Sequence, residues 1–84
     1  MRYEVELKPR ARKDLIRISK ADAARVVDAL ERLADDLAGD VKRLTAFAPG
    51  YRLRVGDYRV LFEIEWSSRV VVYRVRHHRE SYRD

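Results

Sequence analysis

The run YRLRVGDYRVLFEIE, residues 51–65, constrains the fold more than any other stretch of the chain. Apolar and polar residues alternate on both sides of Gly56-Asp57, and period-two alternation marks a half-buried strand. A two-residue loop with glycine first suits a type II′ turn, whose twist matches the strands it joins. So short a loop also fixes the register: Val55 faces Tyr58, Arg54 faces Arg59, Leu53 faces Val60 and Arg52 faces Leu61. One face of the hairpin is then Tyr51, Leu53, Val55, Tyr58, Val60 and Phe62, an apolar surface that needs cover. The other face shows Arg52, Arg54 and Arg59, with Leu61 and Glu63 beside them.

Residues 69–76, RVVVYRVR, supply a third strand. With Ser67-Ser68 as its turn, Glu65 faces Val70, Phe62 faces Tyr73, Val60 faces Val75 and Arg59 faces Arg76. Val71, Tyr73 and Val75 then join the core face, and Val72, Arg74 and Arg76 join the arginine face. Trp66 is expected to pack in the core or at the strand end. The register predicts a row of Arg54, Arg59 and Arg76 across neighbouring strands. Like charges directly opposite each other destabilise a sheet, by up to about 1 kcal/mol per pair, so folding alone gives no reason to align them. Glu63 and Glu65 are expected to relieve part of the repulsion. The row is either a screened, solvated face or an anion site, and the planar, permanently charged guanidinium suits phosphate.

Upstream, residues 2–7 alternate, with Tyr3, Val5 and Leu7 on one face, which predicts a first strand. Pro9 ends it and sits well in the first turn of a helix. Ala11, Leu15, Ile16 and Ile18 give that helix an apolar side opposite a basic one. Ser19-Lys20-Ala21-Asp22 resembles a capping box. Ala23, Val26, Val27, Leu30, Leu33, Ala34 and Leu37 form the stripe of a second helix, and Gly39 is its expected stop. The short join predicts an antiparallel helical hairpin. Residues 40–50 read as the longest connection, with Leu44 and Phe47 dipping into the core. The expected fold is α+β: an N-terminal strand, a helical hairpin, then a three-stranded antiparallel meander, in one sheet with the helices on one face.

Eighty-four residues suffice for one domain, spanning 1–84, and 46% hydrophobic residues suffice for its core. The absence of cysteine excludes disulfides and thiolate chemistry. No apolar run approaches a membrane span and no signal peptide is visible, so a soluble, cytoplasmic chain is expected. The net charge of +5 is concentrated late: residues 51–84 hold eight arginines, no lysine and five acids. Such a surface favours a polyanionic partner. No carboxylate cluster suggests a divalent metal. In the tail, His77 and His78 adjoin Arg79, Tyr82 and Arg83. Tyr82 is either a packing aromatic or a ring that stacks on a base.

At these residues the chain resembles the RelE/ParE toxin superfamily of type II toxin–antitoxin systems, the RelE branch in particular. The resemblance covers the whole chain and is densest in YRLRVGDYRVLFEIE and VYRVRHHRESYR. It implies a ribosome-dependent endoribonuclease that cuts mRNA in the decoding site without metal or other cofactor. The cognate antitoxin, the ribosome and mRNA are its expected partners, with no membrane. By position in the family motif, Arg54, Arg59, Arg79 and Tyr82 form the candidate catalytic set. Arg52, Arg74, Arg76, His77, His78 and Arg83 are the candidate RNA contacts. Well-known relatives carry lysine where this chain has Arg52 and Arg54, and one such lysine is a candidate general base. Arginine does not release its proton near neutral pH, which leaves His77, His78 or no conventional base for that step. The ParE branch, which inhibits DNA gyrase without cutting RNA, and a passive nucleic-acid-binding module are the competing readings.

Overall fold

A computed structural model describes residues 2–44, 49–65 and 68–77. The elements run β1 (Glu4–Leu7), α1 (Pro9–Arg17), α2 (Lys20–Leu33), β2 (Asp40–Arg43), β3 (Tyr51–Val55), β4 (Tyr58–Glu65) and β5 (Arg69–His77). They build one five-stranded sheet in the order β1-β5-β4-β3-β2. Neighbours are antiparallel except β1, which runs parallel to β5 from Glu4 opposite Arg69 to Leu7 opposite Val72.

The sheet therefore exceeds the expected meander by one strand. Residues 40–43, read above as connection, pair with β3, Asp40 opposite Arg54 and Lys42 opposite Arg52. Only Val41 of this edge strand packs against the core, so its sequence, DVKR, carries little apolar alternation to announce it. Leu44, just beyond, is buried as expected. Phe47 and Trp66, also assigned to packing, lie outside the described residues.

Local chemistry sets the helix ends. Pro9 opens α1, and Ser19 caps α2 by accepting from the Asp22 N–H at 3.1 Å. The second helix ends at Leu33, short of the expected Leu37. The Ala34 carbonyl accepts from the Tyr3 N–H at 2.7 Å, and Asp36 and Leu37 both take positive φ, which no right-handed helix accommodates. The apolar stripes are also narrower than the sequence suggests: Ile16 is 82% exposed and Val27 42%. What α1 and α2 do bury, Ala11, Val26, Leu30 and Leu33, closes on Leu53, Val60, Phe62, Val70, Val72 and Val75. Both helices thus cover one face of the sheet. Phe62 is fully buried and stacks on Tyr51, its cross-strand partner, at 5.5 Å. No helix among the described residues is long and apolar enough to cross a membrane.

The β3–β4 hairpin has the register its turn demands, from Val55 opposite Tyr58 to Arg52 opposite Leu61. Gly56 takes φ 57°, as the first central residue of a type II′ turn must. The β4–β5 register departs from expectation in its first half. Glu65 faces Arg69, not Val70, so the connection is one residue longer than Ser67-Ser68. Ser68 takes φ 64° in it. The offset continues to Phe62, which faces Val72; then Leu61 faces Arg74 and the register returns to that expected. Tyr73 is the extra residue, a β-bulge. The assignment of faces changes accordingly. Val70 and Val72 belong to the core, while Val71 and Tyr73 do not join it. Val71 is nonetheless buried, on the opposite face between Glu6 and Glu63.

Candidate nucleic-acid interface

The face of the sheet away from the helices carries the cations. Arg54 lies opposite Arg59, and Arg59 opposite Arg76. Neighbouring strands are about 4.8 Å apart, so three guanidinium groups originate from a strip roughly 10 Å wide. Arg54 is exposed; Arg59 and Arg76 are half-buried. Arg59 donates to the carbonyl of Tyr58 at 3.4 Å. Among the described residues, neither Arg54 nor Arg76 has a carboxylate partner.

The expected relief from Glu63 and Glu65 is not found among these contacts. Glu63 accepts from the Gly50 N–H at 2.8 Å, further along β4, and Glu65 closes the far end of the strand opposite Arg69. The outer face is divided lengthwise. Glu4, Glu6, Glu63 and Glu65 occupy the end near the β4–β5 connection, and the arginine row occupies the end near the β3–β4 turn.

A second row holds Lys42, Arg52, Leu61 and Arg74. Its two arginines are anchored. Arg52 donates to the Asp40 carbonyl at 3.1 Å and lies 3.5 Å from the Asp40 carboxylate, with its side chain only 13% exposed. Arg74 donates through Nε and Nη2 to Asp14 of α1, at 2.8 and 3.3 Å. Asp14 also accepts from the Val75 N–H at 2.9 Å. That amide lies beyond the last β1–β5 pair, so a helix carboxylate substitutes for the missing strand. Burial raises the Asp14 carboxyl, but the bonds from Arg74 and Val75 and the charges of Arg74 and Arg10 outweigh it and hold the group below its ordinary value. Asp14 does not stand out in the sequence as a site residue. Its one local signal is a lone acid among Arg10, Arg12, Lys13 and Arg17, and its partners lie 60 and 61 residues away.

The structure separates His77 from the arginine row. His77 faces Tyr58 in register, and its ring meets the Tyr58 ring edge-on at 5.4 Å. Both side chains lie on the helix side of the sheet, where the Tyr58 hydroxyl donates to Asp22 at 3.1 Å. His78, Arg79, Tyr82 and Arg83 lie outside the described residues.

Comparison with known proteins agrees with this architecture. The family model described as the ParE toxin of the type II toxin–antitoxin system parDE matches residues 5–82. A relative from Methanocaldococcus jannaschii named as toxin RelE1 is 29% identical over 78 residues, covering 88% of this chain and 87% of its own. The RelBE2 toxin–antitoxin complex of Mycobacterium tuberculosis contains a chain with a TM-score of 0.78 and 29% identity, over 92% of both chains. The archaeal RelE–RelB complex of Pyrococcus horikoshii gives a TM-score of 0.75 at 23% identity, over 96% of this chain and 100% of that one, a likeness of fold.

Proposed function

Because the chain belongs to the RelE/ParE superfamily of type II toxin–antitoxin toxins, we propose that it is a metal-independent endoribonuclease that cuts mRNA in the ribosomal decoding site. The observation that carries this reading is the register-aligned row Arg54–Arg59–Arg76 on the face of the sheet away from the helices. Cleavage proceeds by attack of the 2′-oxygen on the adjacent phosphorus. The O2′–P bond forms, the P–O5′ bond breaks, and the products are a 2′,3′-cyclic phosphate and a 5′-hydroxyl end. Negative charge builds on the non-bridging oxygens, and guanidinium groups fixed on a sheet stabilise it without reorganising. Arg59 and Arg79 take that part. Arg54 positions the backbone beside the nucleophile, and Arg52, held by Asp40, shapes the margin of the row.

Tyr82 is assigned to orient the scissile nucleotide and to protonate the leaving 5′-oxygen. The position of His77 against Tyr58 supports a wall rather than a base. The 2′-hydroxyl proton then passes to His78 or to solvent. A single charge-stabilising contact accounts for about 100- to 1,000-fold in rate, so Arg59→Ala should lose that much cleavage on translating ribosomes. Undiminished cleavage by the variant would refute the assignment.

A cognate antitoxin completes the proposal. A segment that orders on binding, rich in acidic and apolar residues, would complement the arginine face. It would also suit the groove of about 490 Å3 between β1 and α2, lined by Tyr3, Val5, Leu7, Val27 and Leu30. The ParE description of the matching family favours one other reading, inhibition of DNA gyrase without RNA cleavage. Induced expression with and without the neighbouring open reading frame, with RNA 5′ ends mapped, separates the two. New 5′ ends support the nuclease. Growth arrest without them, together with inhibited supercoiling by purified gyrase, supports the other branch.

A further inference from the structure

Beyond Leu7 the edge of β5 is no longer covered by β1, and α1 runs beside it. The space between them is a cleft of about 510 Å3. Its apolar lining comes from Ile18, Tyr58 and Val75, and its cations include Arg17 and Arg76. Asp14 also lines it, but both its oxygens are engaged by Arg74 and Val75. Among the described residues, Arg17 and Arg76 have no carboxylate partner, so the local field is positive. The Tyr58 ring is fixed twice, by its hydroxyl on Asp22 and by the His77 ring, which stands perpendicular to it at 5.4 Å. A rigid aromatic surface with aliphatic neighbours and guanidinium groups at its margin matches a single nucleotide, whose flat base is apolar and whose phosphate is anionic. Arg76 belongs both to this cleft and to the arginine row. A strand lying on the row can therefore continue over the β5 edge without leaving cationic surface.

We propose that the α1–β5 cleft is a nucleotide subsite, which takes the base of a residue flanking the cleaved phosphate against Tyr58 and Ile18 and its phosphate on Arg17 and Arg76. The inference rests on the ribonuclease reading and adds a place where sequence preference can arise. It gives α1, whose basic side the arginine row does not use, a part in binding RNA.

The test uses the full chain and two probes. In the first, 5′-AMP, 5′-CMP and inorganic phosphate are titrated while the methyl signals of Ile18 and Val75 are followed by NMR. The nucleotides should displace both signals through the ring current of the stacked base, and phosphate should not. In the second, 2′-O-methyl oligoribonucleotides, which lack the nucleophile, are compared as dinucleotides and as trinucleotides extended on either side. One extension should raise affinity about 5- to 100-fold, as a stacked base does. Arg17→Ala, which removes a phosphate contact and leaves the stacking surface, should reduce that increment, while Arg12→Ala, an exposed α1 cation outside the cleft, should leave it unchanged. Unmoved methyl signals, or an increment that Arg17→Ala leaves unchanged, overturn the proposal. So does displacement of the same signals by an acidic peptide and not by nucleotides, which would make the cleft a protein-binding site. Dinucleotide affinity and cleavage on ribosomes report separately on the arginine row: if both persist without the increment, only the subsite fails, and if both are absent, the ribonuclease reading fails with it.

Discussion

Replacing Asp14 with alanine severs the polar link between α1 and the strand that carries Arg74 and Arg76. Asp14 accepts three hydrogen bonds, two from Arg74 and one from the Val75 N–H. In the variant the Val75 amide loses its partner where β1 no longer runs alongside, and the Arg74 guanidinium loses its carboxylate. A hydrogen bond to a charged group contributes about 1.5–3 kcal/mol, and an orphaned buried donor costs about 1–3 kcal/mol. The Arg74 side chain is 27% exposed and that of Asp14 11%, so water can restore part of the loss. A net cost of about 2–3 kcal/mol follows. A domain of this length has roughly 4–13 kcal/mol of stability in all. Each kcal/mol lowers Tm by about 4–8 °C at this size, so Asp14→Ala should melt roughly 10–20 °C lower by calorimetry or circular dichroism. Asp14→Asn keeps one oxygen for the Val75 N–H but loses the charge and sets an NH2 donor where Arg74 Nη2 donates, so its Tm should fall less than that of the alanine variant. The pH dependence gives a second measure. The folded-state carboxyl is held below its ordinary value of 3.8. Its stabilisation is therefore complete above that value and lost as pH falls through the lower, folded-state value. The stability gap between wild type and Asp14→Asn should hold from about pH 7 to about pH 5 and close only in strong acid. An alanine variant within about 3 °C of wild type, or a gap unchanged in strong acid, would refute this account of the contact.

Two glycines should differ in their tolerance of alanine. At Gly56, φ is 57° and an added Cβ meets only the Arg25 guanidinium, Nη2 at 3.5 Å, an ordinary contact, so the cost is conformational, about 1–3 kcal/mol. At Gly39, φ is 128° and the Cβ would stand 2.8 Å from Leu53 Cδ1 in the core, so strain and overpacking combine and the cost should exceed about 2 kcal/mol; urea melts giving the reverse order would contradict the structure. Arg54→Thr removes one of the facing like charges and should raise stability by a few tenths to about 1 kcal/mol. The same variant should weaken RNA binding and reduce its logarithmic salt slope by about 0.7, so a salt titration that leaves the slope unchanged would place the RNA elsewhere.

What the sequence made legible follows the range of the interactions involved. Gly56 and two residues of loop fix the β3–β4 register, because the connection admits one pairing, and Arg54 therefore falls opposite Arg59. Ser19 caps α2 within its own turn. The elements that escaped prediction depend on distant partners. Residues 40–43 form a strand only because β3 offers an edge. Asp14 acquires its part from Arg74 and Val75 across most of the chain. Val71 reads as core and is buried, yet on the other face, because a connection one residue longer changes the parity of β5 as far as the Tyr73 bulge, which restores it. His77 shows the same limit in the site itself: its neighbours in sequence are arginines, and its neighbour in space is Tyr58.

The Tyr73 bulge explains how one strand serves both layers. From Glu65 opposite Arg69 to Phe62 opposite Val72, the pairing places the even-numbered residues of β5 toward the helices. Continued without interruption, that register would turn Arg74 and Arg76 into the core and Val75 out to solvent. Burying unpaired guanidinium groups costs several kcal/mol each, and exposing Val75 forfeits about 1.5–3 kcal/mol more, so the uninterrupted strand is not a viable alternative. One extra residue reverses the parity where it is needed. Val70 and Val72 stay in the core, Val75 joins them from the next half of the strand, and Arg76 aligns with Arg59. Bulges re-aim side chains and strengthen local twist, and this one does so at the boundary between the acidic and cationic ends of the outer face. The like-charge repulsion between Arg59 and Arg76 is thus the result of a specific backbone feature, as that between Arg54 and Arg59 is of the β3–β4 turn. A strand selected only for stability could have relieved it by placing a neutral residue at any of the three positions, which makes an anionic ligand the economical explanation for keeping all three.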